Sequence, residues 1–132
     1  MKIYVAGPLA DMESVQAVQS AVVAAGHELT LDWTVGPDVT LVEQYGSVPD
    51  RSAKLASADL EAVLRADAVL IVASKHDGRG MYVELGAALA RVQLDGLEHV
   101  VVIGHIHHES VFYCHPSVQW FSTVTEWLAG LN

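Results

Sequence analysis

Cysteine is nearly absent: Cys114 stands alone in 132 residues. No disulfide can form within the chain, which suits a reducing cytoplasm. Basic residues are scarce as well. Seven Lys and Arg stand against sixteen Asp and Glu, a formal net charge of −9. That excludes the basic stripe needed to hold a nucleic-acid polymer or an anionic membrane. Long apolar runs are missing too. Ile3 to Ala6 is too short for a signal peptide and stops at Gly7-Pro8, and no run approaches membrane-spanning length. Repeats and low-complexity tracts are absent. What is there is a chain that is 52% hydrophobic, of a size that builds one domain with a real core. The expected partner is a small molecule, neutral or weakly anionic.

Apolar periodicity and punctuation give the elements. Lys2 to Ala6 reads as a first strand. Asp11 caps a helix that runs to about Ala25, with Val15, Val18, Val22 and Ala25 on one face and Gly26 as its stop. His27 to Trp33 reads as a second strand. Thr34 to Pro49 is a long loop with a short helical turn at Leu41 to Tyr45. Asp50 is the expected cap of a helix from Arg51 to Arg65. Asp67-Ala68 opens a third strand that ends near Ala73, and a helix follows to about Leu94, where Asp95-Gly96 stops it. His99 to Ile103 is a fourth strand, Val111 to Cys114 is ambiguous, Val118 to Phe121 is a fifth strand, and Thr123 to Leu131 is a closing helix. Strands alternating with helices predict an α/β three-layer domain, flavodoxin-like or Rossmann-like, with five parallel strands in the order 2-1-3-4-5. Ligands of such sheets bind beyond the carboxyl ends of the strands. Gly7-Pro8, the Ser74 to Gly80 turn and Gly104 to His108 collect at that edge.

The organising stretch is Asp77-Gly78-Arg79-Gly80-Met81-Tyr82-Val83-Glu84-Leu85-Gly86. Glu84 is expected in or near the first turn of the third main helix, with Tyr82, Val83 and Leu85 packed around it. A carboxylate there is either a cap or a chemical group. Asp59 lies between Leu55 and Val63 on the apolar stripe of its helix, and an acid on such a stripe needs a reason. Tyr4 is either a core tyrosine or part of a site. Trp33 either stacks on a ligand or packs in the core. Asp67 reads as structural and Arg79 as solvated. His105, His107, His108 and His115, with Cys114, match no zinc spacing, so neither metal nor cofactor is expected.

Tyr4 in Ile3-Tyr4-Val5-Ala6-Gly7-Pro8, Asp59 in Ala58-Asp59-Leu60, Asp67-Ala68-Val69-Leu70 and Gly80-Met81-Tyr82-Val83-Glu84-Leu85-Gly86-Ala87-Ala88-Leu89 occur here in one order. Together they resemble the nucleoside 2-deoxyribosyltransferases and their relatives, the deoxynucleoside 5′-monophosphate N-glycosidases, over roughly Lys2 to Ile103. The resemblance implies a single domain of that type over residues 1–132. It implies Glu84 as the nucleophile, Tyr4 as the phenol that orients it, and Asp59 as the acid that helps protonate the departing base. Asp77 resembles the acid that contacts the sugar, although the turn before Glu84 carries one residue more than the usual pattern. Gly7, Gly80 and Trp33 are the further candidate substrate-binding positions. The resemblance also implies a homo-oligomer whose sites are completed by a neighbouring subunit; Val111, Phe112, Tyr113 and Trp120 are apolar enough to serve.

The implied reaction is cleavage of a deoxynucleoside N-glycosidic bond through a glycosyl ester on Glu84. A carboxylate close to an oxocarbenium-like centre stabilises it and then captures it, and the base leaves once protonated. Transfer to a second base or to water completes it. Two other readings stand beside this one: a nucleoside 5′-monophosphate N-glycosidase, and a nucleotide-binding module of the same fold without turnover.

Overall fold

A computed structural model describes residues 1–36 and 45–131. Five parallel strands form one sheet: β1 (Lys2–Ala6), β2 (Glu28–Leu29), β3 (Ala68–Val72), β4 (His99–Ile103) and β5 (Val118–Phe121). Their order is β2-β1-β3-β4-β5, as expected. Around them lie α1 (Met12–Ala24), α2 (Pro49–Arg65), α3 (Arg79–Asp95) and α4 (Val124–Ala129).

Strand alternation sorts the core into two layers. Tyr4, Ala6, Val69, Ile71, Val100 and Val102 meet Ala62 and Val63 of α2 and Met81, Leu85 and Ala88 of α3. Ile3, Val5, Leu70, Val72, Val101 and Ile103 meet Val15, Val18 and Val22 of α1 and Trp127 of α4 on the other face. The central strand β3 is buried on both faces along its whole length, which is why it reads as an unbroken apolar run. Asp67 proves structural. Its carboxylate accepts the Lys2 amide at 2.8 Å, and its own N–H donates to the Lys2 carbonyl, so it sets where β3 starts against β1.

Several boundaries differ from expectation. β2 is two residues long, not seven. Asp32 accepts from the Thr34 amide at 3.0 Å and from its hydroxyl at 2.6 Å, and this side-chain turn draws the chain away from the sheet. The carbonyls of Met1 and Ile3 are met by the amides of Glu28 and Thr30. The next one along, Val5, is met instead by the Trp33 indole N–H at 2.7 Å. Asp50 is not a cap: α2 begins with Pro49 in its first turn behind Val48, because proline's fixed φ and missing N–H suit that place. Ala25 ends α1 and is exposed rather than part of its buried face. Gly96 stops α3 one residue later than expected, in the left-handed conformation at φ 76°. Val111–Cys114 is a 3-10 turn. Of the proposed helical turn at Leu41 to Tyr45, Tyr45 opens a 3-10 turn to Ser47, and the rest lies outside the described residues.

Candidate active site

Two loops of the carboxyl edge are joined directly. Asp11, which caps α1 by accepting from the Ser14 amide, also accepts from the Ser74 hydroxyl at 2.6 Å. Gly78 lies against Pro8, where a Cβ would come within 2.8 Å of the proline Cα. The turn after β3 is therefore fixed on the turn after β1, and α3 leaves from it.

Glu84 is the sixth residue of α3. Expected in or near the first turn, it lies just past it, because the helix starts at Arg79 and Gly78 occupies the N-cap position. The orphan N–H groups of a helix belong to its first turn, so Glu84 caps nothing. It points inward instead and is 8% exposed. One carboxylate oxygen accepts a hydrogen bond from the Tyr4 hydroxyl, in the buried layer between β1 and α3. Burial raises the Glu84 carboxyl to about 7; the Tyr4 hydrogen bond pulls it down and the nearby Asp59 charge pushes it up. Tyr4 is fully buried. Burial first, then the charges of Glu84 and Asp59, hold its phenol far above the ordinary value, so it remains a proton donor in its bond to Glu84.

Asp59 reaches the same place from α2, one turn before the buried Ala62 and Val63. It is half-buried, and burial alone raises its carboxyl to about 6. Its charge acts on both Tyr4 and Glu84. The structure thus brings together Tyr4, Glu84 and Asp59, three residues from three elements. The result is a pair of acids that burial raises to about 7 and about 6, the first with one oxygen held by Tyr4. This is the chemistry a nucleophile and a proton donor need.

The remaining candidates go elsewhere. Asp77 is exposed and accepts from the Gly78 amide at 3.1 Å. Tyr82 does not pack around Glu84. Two residues along a helix turn a side chain by about 200°, so Tyr82 meets Tyr113 on the other side of α3, with ring centroids 5.9 Å apart. Val83 is 61% exposed, and of the three expected neighbours Leu85 joins the core. A Cβ on Gly7 would meet the Val15 methyl at 2.4 Å, so that glycine allows close packing of α1. Gly80 faces open space. Trp33 spends its N–H on Val5 and packs against both core layers. Arg79 is exposed. His108 binds the Lys75 carbonyl at 2.8 Å, and the His105 and His107 rings stack edge to face. Among the described residues no cluster of three His, Cys, Asp or Glu is placed to hold a metal. Sequence reasoning missed the Tyr82–Tyr113 pair and the Asp11–Ser74 bond, since neither has a local signature.

No protein-family model and no curated protein matches the chain. Among solved structures it is similar to the CMP N-glycosidase BcmB of Clostridium botulinum, at 14% identity and a TM-score of 0.57, over 99% of this chain and 98% of that one. From end to end, this chain carries the fold of that N-glycosidase.

Proposed function

We propose that the protein cleaves the N-glycosidic bond of 2′-deoxynucleosides, with Glu84 as nucleophile and the sugar passed to another base or to water. The observation that carries this is the buried Tyr4–Glu84 hydrogen bond with Asp59 beside it. Tyr4 holds one Glu84 oxygen, and the other is the attacking atom. As the bond from C1′ to the base lengthens, Glu84 forms an ester with C1′ and Asp59 gives its proton to the base. Water or a second base then attacks C1′, and Asp59 takes back a proton from that acceptor. Two displacements at one carbon retain its configuration. In the empty site the higher pKa belongs to Glu84. A base lying over half-buried Asp59 strips its remaining water and draws the shared proton there.

The fold of a CMP N-glycosidase supports a second reading, in which the substrate carries a 5′-phosphate. The charges lean the other way. The Gly7 to Asp11 turn has no Lys or Arg, and Asp11 and Asp77 put carboxylates at that edge. Relatives expected from the sequence complete their sites across subunits, so we also propose a homo-oligomer. Val111, Phe112 and Trp120 are 78%, 59% and 57% exposed, whereas Tyr113 is buried and belongs to the fold. Incubation with deoxynucleosides and with their monophosphates, with and without free base, followed by chromatography, tests the function. Base release or exchange is expected from the nucleosides, and Glu84→Ala is expected to abolish it while the circular dichroism spectrum stays unchanged. Binding without turnover would leave the non-catalytic module as the reading.

A further inference from the structure

α2 has a narrow hold on the rest of the fold. Of its seventeen residues, Ala62 and Val63 alone are buried, so apolar packing fixes one turn near its end. Asp59 lies one turn before that point and is half-buried. Polar contacts reach the same end of the helix. The Arg91 side chain of α3, 15% exposed, donates from Nη1 to the Val63 carbonyl at 2.8 Å and to the Ala66 carbonyl at 2.6 Å. Carbonyls at the end of a helix lack helical partners and carry the negative end of its dipole, so a guanidinium suits them twice over. On its other side Nε donates to Asp95 at 3.1 Å, one turn further along α3, and this holds the planar group in its fork geometry. The spacing ties this clamp to the chemistry. Seven residues make about two turns of a helix, so Arg91 stands on the same side of α3 as Glu84. Val63 follows Asp59 by about one turn on the same side of α2. The clamp and the acid pair are two rungs between the same two packed helices.

We infer that Arg91 is a positioning residue of the reaction: by gripping the Val63 and Ala66 carbonyls it sets the spacing of Asp59 from Glu84. The inference rests on the roles proposed above for those two acids. Without the guanidinium, the two carbonyls turn to water and α2 lifts from α3 at its one anchored end. Asp59 then gains water and stands further from Glu84. Attack at C1′ and protonation of the base need both acids against one substrate, so the cost falls on the bond-breaking step and not on binding. Both carboxyls lose some of the burial that raises them, and Glu84 loses the push of the Asp59 charge, so both move back towards their ordinary values.

The test is steady-state kinetics on a 2′-deoxynucleoside across pH, with melting temperatures alongside, for Arg91→Met, Arg91→Lys and Val124→Ala. Arg91→Met keeps the apolar stem and is expected to lower kcat about tenfold or more while KM stays within about twofold. Both limbs of its kcat/KM profile should move to lower pH. Arg91→Lys, whose single ammonium replaces the fork, should recover part of kcat and shift the limbs less. Val124→Ala thins the core layer on the other face of the sheet, and should lower the melting temperature without moving either limb. Wild-type kcat and limbs in Arg91→Met would overturn the inference and leave the function standing. So would an equal shift of the limbs in Val124→Ala, since that marks general loosening. Where Arg91→Met does not fold, Arg91→Lys decides: unmoved limbs and full kcat there overturn the inference. Absence of nucleoside cleavage by the wild type would overturn the function and this inference together.

Discussion

Glu84 and Asp59 stand in one poorly solvated region, and burial raises both, to about 7 and about 6. The proposed step needs Glu84 ionised and Asp59 protonated, so the pair must hold one proton in total. Below about 6 both acids are protonated and the nucleophile is lost; above about 7 both are ionised and the proton donor is lost. kcat/KM is therefore expected to peak between these values. Asp59→Asn should lower the maximum at least about tenfold and remove the alkaline limb, as a pH–rate profile will show. Stability follows the same groups with a definite sign. The folded Glu84 keeps a proton that the unfolded chain releases above the ordinary value of 4.5. Stability contributed by this site is therefore full below 4.5 and falls as pH rises towards about 7. Glu84→Gln, which mimics the protonated form, should match the wild type at acid pH and exceed it by about 1–3 kcal/mol at pH 8 in urea titrations.

Between β3 and α3 the chain makes a turn that three contacts define: Ser74 on Asp11, Gly78 on Pro8, and the Lys75 carbonyl on His108. Gly78 is the tightest of them. A methyl group there would sit 2.8 Å from the Pro8 Cα, which is backbone and cannot step aside. Gly78→Ala is expected to cost about 1–3 kcal/mol and to lower activity by tilting the start of α3, which a thermal melt and an assay together will reveal. Elements of this kind were only partly legible. β3 announced itself through an unbroken apolar run, and the α3 stop through Asp95-Gly96. The brevity of β2 was hidden because a single side chain, Asp32, diverts the strand. The second-turn position of Glu84 was hidden because Arg79-Gly80 looks like loop and folds as helix.

Taken as a whole, the molecule shows why Tyr4, Asp59 and Glu84 could be grouped from sequence whereas Tyr82 and Tyr113 could not. Tyr4 and Glu84 belong to β1 and to the helix after β3, neighbours in an order that follows from alternating strands and helices, and the family resemblance adds Asp59. Tyr82 and Tyr113 meet through a 3-10 turn that no periodicity foretells. No helix of the described residues is long and apolar enough to cross a membrane, yet the surface keeps sizeable apolar groups. Leu60 and Leu64 of α2, Val83 and Leu94 of α3, and Phe112 and Trp120 beyond them are all exposed. Sedimentation at micromolar protein is expected to show a dimer or larger species, and Trp120→Glu or Phe112→Glu to shift it towards monomer if that side forms the contact. The Trp33 indole has a consequence at the same scale. By occupying the Val5 carbonyl, it seals the flank of the sheet where pairing with β2 gives out. A stray extended peptide that tried to zip onto β1 there would find its first acceptor taken. Trp33→Phe would strip that seal and leave a ledge open to self-association.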